Sequence, residues 1–276
     1  MRQCKRNEFS YADLVHRRNA DKRGRTLFER PPLFSGILPG EYSDIASAGR
    51  IREFSRGEIL YIEGEPVRQV LLLTSGLVKI TKLGLSGTEV ILRLGGPGDV
   101  LAAADPFCTG AHRTTAQAFR SCRALVWEAA VFKTLVSPFP VLQQNIARIL
   151  VAHLMELEER FREIATEKVG TRVARQLVRL LEQIGQPIDG AVEIGVSREE
   201  LAQMTGTTLF TVSRLFSAWE GLGLVKPRRE AVVICDIDSL RAIAEGFVED
   251  SCNKQVVRPF EQRTPNPART EQSGLH

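Results

Sequence analysis

Residues 141–165, VLQQNIARILVAHLMELEERFREIA, contain neither Gly nor Pro, which over that length is about seven turns of uninterrupted helix. Ile146, Leu150, Leu154, Leu157, Phe161 and Ile164 recur in it at steps of 4, 4, 3, 4 and 3, close to the a/d seam of a coiled coil. The other faces carry Glu158, Glu159, Arg160, Arg162 and Glu163. A helix cannot cover its own apolar stripe, so something else must. Packing on its own domain would leave the same pattern. The length and the charged remaining faces favour a second copy of the chain instead. This predicts a dimerisation helix over 139–166, with Leu150, Leu154, Leu157, Phe161 and Ile164 at the contact.

The segments on either side differ in texture. From 31 to 138 short apolar runs such as EILYIEGEP (58–66) and VLLLTSGLVKI (70–80) are broken by glycine. Gly57, Gly64, Gly76, Gly87 and Gly98 fall roughly ten residues apart, the spacing of turns in an all-β sandwich or barrel. From 167 to 245 the order is different. A second amphipathic helix carries Val169, Val173, Leu177, Leu180, Leu181 and Ile184 on one face. A loop at GQPIDG (185–190), a strand at VEIGV, two short helices and a strand at VVICDI (232–237) follow. That order suits a winged helix-turn-helix. Residues 1–30 read as a basic flexible arm, and 246–276, rich in Pro, Gln, Asn, Thr and Ser, as a disordered tail. The expected class is α+β: an N-terminal β-roll of the jelly-roll kind, a long dimerisation helix and a C-terminal winged helix. A chain of 276 residues is long enough for two domains with real cores.

The net charge of +4 does not by itself argue for nucleic acid. The arm holds nine Lys/Arg against four Asp/Glu, whereas residues 31–245 hold 24 against 25. A DNA-binding reading must rest on local motifs. The cysteines at 4, 108, 122, 235 and 252 form no C-x-x-C pair, so a zinc or iron–sulfur site is not expected. A redox role for Cys108 with Cys122 stays open. Residues 1–25 lack a signal-peptide core and no run is apolar enough to span a membrane. A cytoplasmic protein without a membrane partner is expected. No nucleophile–base pair, metal cluster or phosphate loop points to an enzyme.

Ser197-Arg198-Glu199-Glu200 is a capping box, in which Ser197 accepts from the third amide of the helix and Glu200 reaches back. The helix it opens has Leu201, Ala202 and Met204 facing inward. Thr205-Gly206-Thr207 is a turn in which Gly206 is free to take positive φ. Thr208 caps the next helix, whose inward face is Val212, Leu215, Phe216 and Trp219. Two short helices joined this way present the second to the major groove. Its outward Leu209, Phe210, Ser213 and Arg214 are the candidate base readers. Arg214 suits guanine O6 and N7, and Phe210 the methyl of thymine. Leu209 and Phe210 also have the option of folding back onto the wing or the preceding helix. Ser197, Arg198, Thr208, Thr211 and Ser217 suit phosphate, as do Lys226, Arg228 and Arg229 in the wing tip KPRRE (226–230). Each of these charges alone reads equally as a solvated surface group. The coincidence of cap, turn, core face and basic wing favours DNA.

Three blocks in order carry a resemblance: GEILYIEGEPVRQVLLLTSGLVKI with GPGDV, then EKVGTRVARQL (167–177), then SREELAQMTGTT-x-x-TVSRL. Over about residues 31–245 the chain resembles the CRP/FNR superfamily of bacterial transcription regulators. The resemblance implies a homodimer that binds double-stranded promoter DNA and works with RNA polymerase. It also implies an effector pocket at Ala102, Ala103, Arg113, Thr114, Ala165 and Thr166. Cyclic-AMP-binding members carry a Gly-Glu pair where this chain has Ala102-Ala103, and an Arg-Ser pair where it has Arg113-Thr114. The Glu that holds the ribose hydroxyl is absent. The adenine-facing Thr-Ser pair corresponds to Ala165-Thr166. So the phosphate half of a nucleotide site survives without the sugar and base half, and cyclic AMP is not the expected effector. Oxygen-sensing members have an N-terminal cysteine cluster, of which only Cys4 is present. Haem stays open. His112 and His153, the histidines of the resembling segment, read as surface residues. Two functions follow: a DNA-binding regulator with a diverged sensor, or a small-molecule-binding module whose DNA binding is weakened, as Leu209 and Phe210 would allow.

Overall fold

The computed structural model describes residues 31–102 and 110–246. The expected basic arm, the expected tail beyond 246, Ala103 and Cys108 lie outside the described residues. A 3-10 turn (Pro32–Phe34) and α1 (Pro39–Ser47) precede the first sheet. That sheet contains β1 (Arg50–Phe54), β2 (Ile59–Tyr61), β3 (Gln69–Leu83), β4 (Glu89–Gly95), β5 (Val100–Leu101) and β6 (Thr115–Glu128). The order is β1-β6-β3-β4, with β2 on β6 and β5 on β3, all antiparallel.

The run VLLL at 70–73 does not alternate with polar residues because both its faces are covered. Val70 and Leu72 join Leu125, Trp127, Phe132 and Leu142 in a core under the helices. Leu71 and Leu73 join Phe54, Ile80, Leu101 and Val126 inside the roll. Gly76 lies where β3 crosses β6. Its φ is 79°, and a Cβ there would sit 2.2 Å from the Ser121 carbonyl oxygen, so no other residue fits.

After α2 (Ala129–Val136) comes α3 (Pro140–Thr166), within the span expected of the dimer helix. Its first turns belong to the roll. Leu142 and Ile146 are buried there, and Asn145 Nδ2 donates to the carbonyls of Leu33 at 2.8 Å and Ser35 at 2.7 Å. Ile146 therefore closes a core rather than extending the seam. Beyond it Leu150, Leu154, Leu157, Phe161 and Ile164 are 38–75% exposed, an uncovered stripe along one helix.

The C-terminal unit contains α4 (Val169–Ile184), β7 (Gln186–Ile188), β8 (Ala191–Ile194), α5 (Arg198–Thr205), α6 (Leu209–Gly221), β9 (Val225–Pro227), β10 (Val232–Ile234) and α7 (Ile237–Ala244). The sheet runs β7-β8-β10-β9. Two expectations are corrected here. The loop expected at 185–190 contains β7. Ile188 pairs with Ala191, and Asp189 (φ 44°) and Gly190 (φ 80°) make the two-residue turn that matches strand twist. The last strand, expected over 232–237, stops at Ile234 because Asp236 caps α7, accepting from the Ser239 amide at 3.0 Å.

An ionic cluster holds the corner between α3 and α4. Buried Glu163 pairs with Arg179 and, at 3.4 Å, with Arg175. Glu167 pairs with Arg175 at 2.5 Å and with Arg162 at 3.0 Å. Burial works against the Glu167 charge, but hydrogen bonds from Arg175 and Arg162 outweigh it and hold this carboxyl below the usual range. A carboxyl with a depressed folded-state value contributes stability above its unfolded value and loses it as pH falls through the folded one. Glu167→Gln should therefore be less stable than wild type at neutral pH. The gap should narrow as pH falls through the ordinary glutamate range and below it. Urea unfolding of both proteins across that range checks this, and a gap independent of pH would contradict it.

The two units share a core. Ile91 of β4 and Phe119 of β6 are buried with Val173, Leu201 and Trp219 of the C-terminal unit in one apolar cluster. α5 packs against β4.

Candidate DNA interface and sensor cavity

The capping box forms: Ser197 Oγ accepts from the Glu200 amide at 3.1 Å, and the Ser197 amide donates to Glu200 Oε2 at 2.8 Å. Gly206 takes the left-handed conformation, φ 61°. Thr208 Oγ1 accepts from the Thr211 amide at 3.2 Å and lies 3.0 Å from Thr211 Oγ1. Ser217 donates to the Ser213 carbonyl at 3.1 Å. All four of the expected phosphate-binding hydroxyls thus already serve the helices. Arg198 is half-buried rather than free on the surface.

The inward face of α6 is Val212, Leu215, Phe216 and Trp219, all buried. On the outward face Phe210 is 84% exposed and Leu209 44%. Phe210 folds back onto neither the wing nor the preceding helix, and Leu209 is only partly covered. Ser213 is half-buried. Arg214 is exposed, and no ion pair occupies it among the described residues. In the wing, the Arg228 amide donates to the Ala231 carbonyl at 2.8 Å and closes the turn between β9 and β10. The Arg228 guanidinium pairs with Glu193 of β8 at 2.6 Å. Lys226 and Arg229 are exposed and carry the wing's uncommitted charge.

A cavity of about 340 Å³ opens between the roll and α3. Ala102, Arg113 and Thr114 of the expected effector pocket line it together. Ala165 and Thr166 do not; both are exposed at the far end of α3. The helical residues at the cavity are Ile146, Ile149, Leu150, His153 and Leu157. Rising ~1.5 Å per residue, the helix has gone some 12 Å past Leu157 by Ala165. The exposed apolar stripe and the pocket overlap, since Leu150 and Leu157 belong to both.

Neither histidine is a surface residue. His112 is buried and stacks on Tyr61, with ring centroids 4.0 Å apart and planes 9° apart. His153 is half-buried in the cavity wall. The sequence signal for His153 was its place between Leu150 and Leu157, at i+3 and i−4, on the same helical face. Arg93 also lines the cavity, but its Nη1 lies 3.4 Å from Asp99 Oδ2. Among the described residues no Asp or Glu lines it.

Ala102 has φ 60°, a left-handed conformation that costs an L-residue roughly 1–2 kcal/mol. In most contexts Ala→Gly destabilises by roughly 0.5–1 kcal/mol. Here Ala102→Gly should leave stability unchanged or raise it by up to about 1 kcal/mol, because relief of strain offsets the greater freedom of the unfolded chain. A loss of more than about 1 kcal/mol in chemical denaturation would contradict this.

Among the described residues no group of three or more His, Cys, Asp or Glu is placed to hold a metal ion. Cys122 is a free thiol pushed up by burial and by the neighbouring Glu58 charge, and Cys235 is free and exposed. No described helix is long and apolar enough to cross a membrane.

Comparison with known proteins bears on both regions. A cyclic nucleotide-binding domain model matches residues 51–138, and a Crp-like helix-turn-helix domain model matches residues 171–243. The CRP-like cAMP-activated global transcriptional regulator of Mycobacterium tuberculosis is 24% identical over 216 residues, covering 78% of this chain and 96% of that protein. The cyclic AMP receptor protein of Thermus thermophilus is 27% identical over 216 residues, covering 78% and 98%. Among solved structures, the c-di-GMP responsive global regulator CLP of Xanthomonas campestris has a TM-score of 0.65 over 71% of this chain and 99% of that one. At 20% identity that is a likeness of fold.

Proposed function

The chain belongs to the CRP/FNR family of transcription regulators, and on that premise we propose that it acts as a homodimer whose paired α6 helices read a two-half-site operator under control of the roll cavity. The observation that carries the reading is the division of α6 into a packed inner face and a free outer one. Val212, Leu215, Phe216 and Trp219 fix the helix, while Phe210 and Arg214 stand in solvent. The exposed stripe of α3 supplies the dimer contact, which sets the two reading helices about one turn of DNA apart, roughly 34 Å. RNA polymerase is the partner the family supplies. The relatives in Mycobacterium tuberculosis and Thermus thermophilus are named for cyclic AMP. No carboxylate among the described lining residues is there to hold a ribose, which argues against that effector here.

The route from cavity to DNA runs through β4. Leu92 lines the cavity, and its neighbour Ile91, on the opposite face of the strand, joins the core of the C-terminal unit. Arg160 of α3 donates to the Leu92 carbonyl at 2.8 Å. A ligand that favours one position of β4 over another therefore biases the reading unit. Binding to promoter fragments whose affinity falls steeply with salt is the test of the DNA function. Absence of salt-dependent binding would favour the alternative, a ligand-binding module with weakened DNA contact.

A further inference from the structure

We propose that the roll cavity takes an amphiphilic organic acid, with its apolar body inside and a single anionic head on Arg113; this rests on the sensor reading of the roll. The walls are mostly hydrocarbon, among them Ile80, Leu92, Val100, Leu101, Ile149 and Leu157, with Tyr61 and His153 as the neutral ring side chains that carry a polar atom. The charge of Arg93 is answered by Asp99. Arg113 is different. Its side chain is exposed at the cavity, and no described carboxylate pairs with it. Thr114 beside it adds a hydroxyl.

An apolar chamber with one cation in contact with water suits an amphiphile. The body loses its contact with water against hydrocarbon, and the head keeps part of its hydration while gaining charge-assisted hydrogen bonds. A nucleotide fits these walls badly. Each sugar hydroxyl or base edge buried without a partner costs about 1–3 kcal/mol, and no carboxylate in the described lining accepts from a ribose. A neutral lipid fills the chamber but gains nothing from Arg113. The volume, near the lower end for ligand pockets, matches a medium-chain acid.

The test is calorimetry on the full-length dimer with decanoate, decyl phosphate, decanol and cyclic AMP. Both acids should bind once per chain, at least tenfold more tightly than decanol, and cyclic AMP should bind more weakly than either acid. Arg113→Gln, at an exposed position, should bring the acids down to the level of decanol and leave decanol unchanged. If decanoate is the tighter, the natural class is a carboxylic acid; if decyl phosphate, a phosphate monoester. Either ranking upholds the proposal. Decanol binding as tightly as the acids, no binding of either acid, an Arg113→Gln variant with unchanged acid affinity, or cyclic AMP outranking the acids would overturn it. Acid binding that leaves operator affinity unchanged upholds the ligand and sinks the sensor role. Loss of operator binding by the ligand-free protein bears on the regulator reading alone.

Discussion

Leu154→Asp is expected to turn the protein into monomers and to abolish binding to a two-half-site operator. Leu154 lies midway along the stripe of α3 and is 55% exposed in the single chain. It does not line the cavity, unlike Leu157, so its replacement tests the dimer without touching the ligand. In a two-fold interface every side chain counts twice. Burying a leucine contributes about 1.5–3 kcal/mol, so truncating it in both copies removes roughly 3–6 kcal/mol. Two carboxylates facing each other across the axis add repulsion. The dissociation constant of the dimer should rise by at least about 100-fold. Light scattering reads the assembly, and fluorescence anisotropy reads the operator. A monomeric wild type, or a variant that stays dimeric at micromolar concentration, would rule out α3 as the dimer contact.

The second large effect concerns sequence reading. Arg214→Ala should cost about 1–3 kcal/mol of operator affinity and relax selection at one guanine, because it removes a bidentate pair to O6 and N7. Phe210→Glu should move one position from thymine toward cytosine. A phenyl ring can pack on the C5-methyl of thymine but cannot accept from cytosine N4, whereas a carboxylate can. The 84% exposure of Phe210 is what makes this expectation strong. A ring folded onto the wing would have had no access to a base. Arg228 is not the best control in the wing, since Glu193 already holds it at 2.6 Å. Arg229→Ala should weaken all sequences alike and lower the salt slope by about 1. Selection from random duplexes with the wild type and these three variants decides the matter. If Phe210→Glu returns the same motif as wild type, Phe210 does not read DNA.

Much of the fold was legible because it is written in short range. The apolar stripe of α3, the inward face of α6, the Ser197 capping box and the left-handed Gly206 each follow from spacing within a few residues. Where local signals compete, reading was poorer. GQPIDG looks like a loop because Gly, Pro and Asp punctuate it, yet Asp189-Gly190 is the strongest two-residue hairpin signal in the segment. VVICDI looks like one strand until Asp236 is seen as the cap it is.

Local spacing settles most of the elements and which face of each is apolar, because helix and strand periods sort side chains without reference to anything distant. It did not determine what those faces meet. That Ile146 closes the roll while Leu154 stays bare, that Leu150 and Leu157 belong to cavity and exposed stripe together, that Ala165 and Thr166 fall past the pocket while His153 enters it, and that Ile91 leaves its own domain for the core of the next were decided only by where α3 crosses the roll and how the C-terminal unit docks on β4. Such contacts depend on the angle and offset between elements far apart in the chain. A helix turned by a single residue, about 100°, presents a different set of side chains to the same wall.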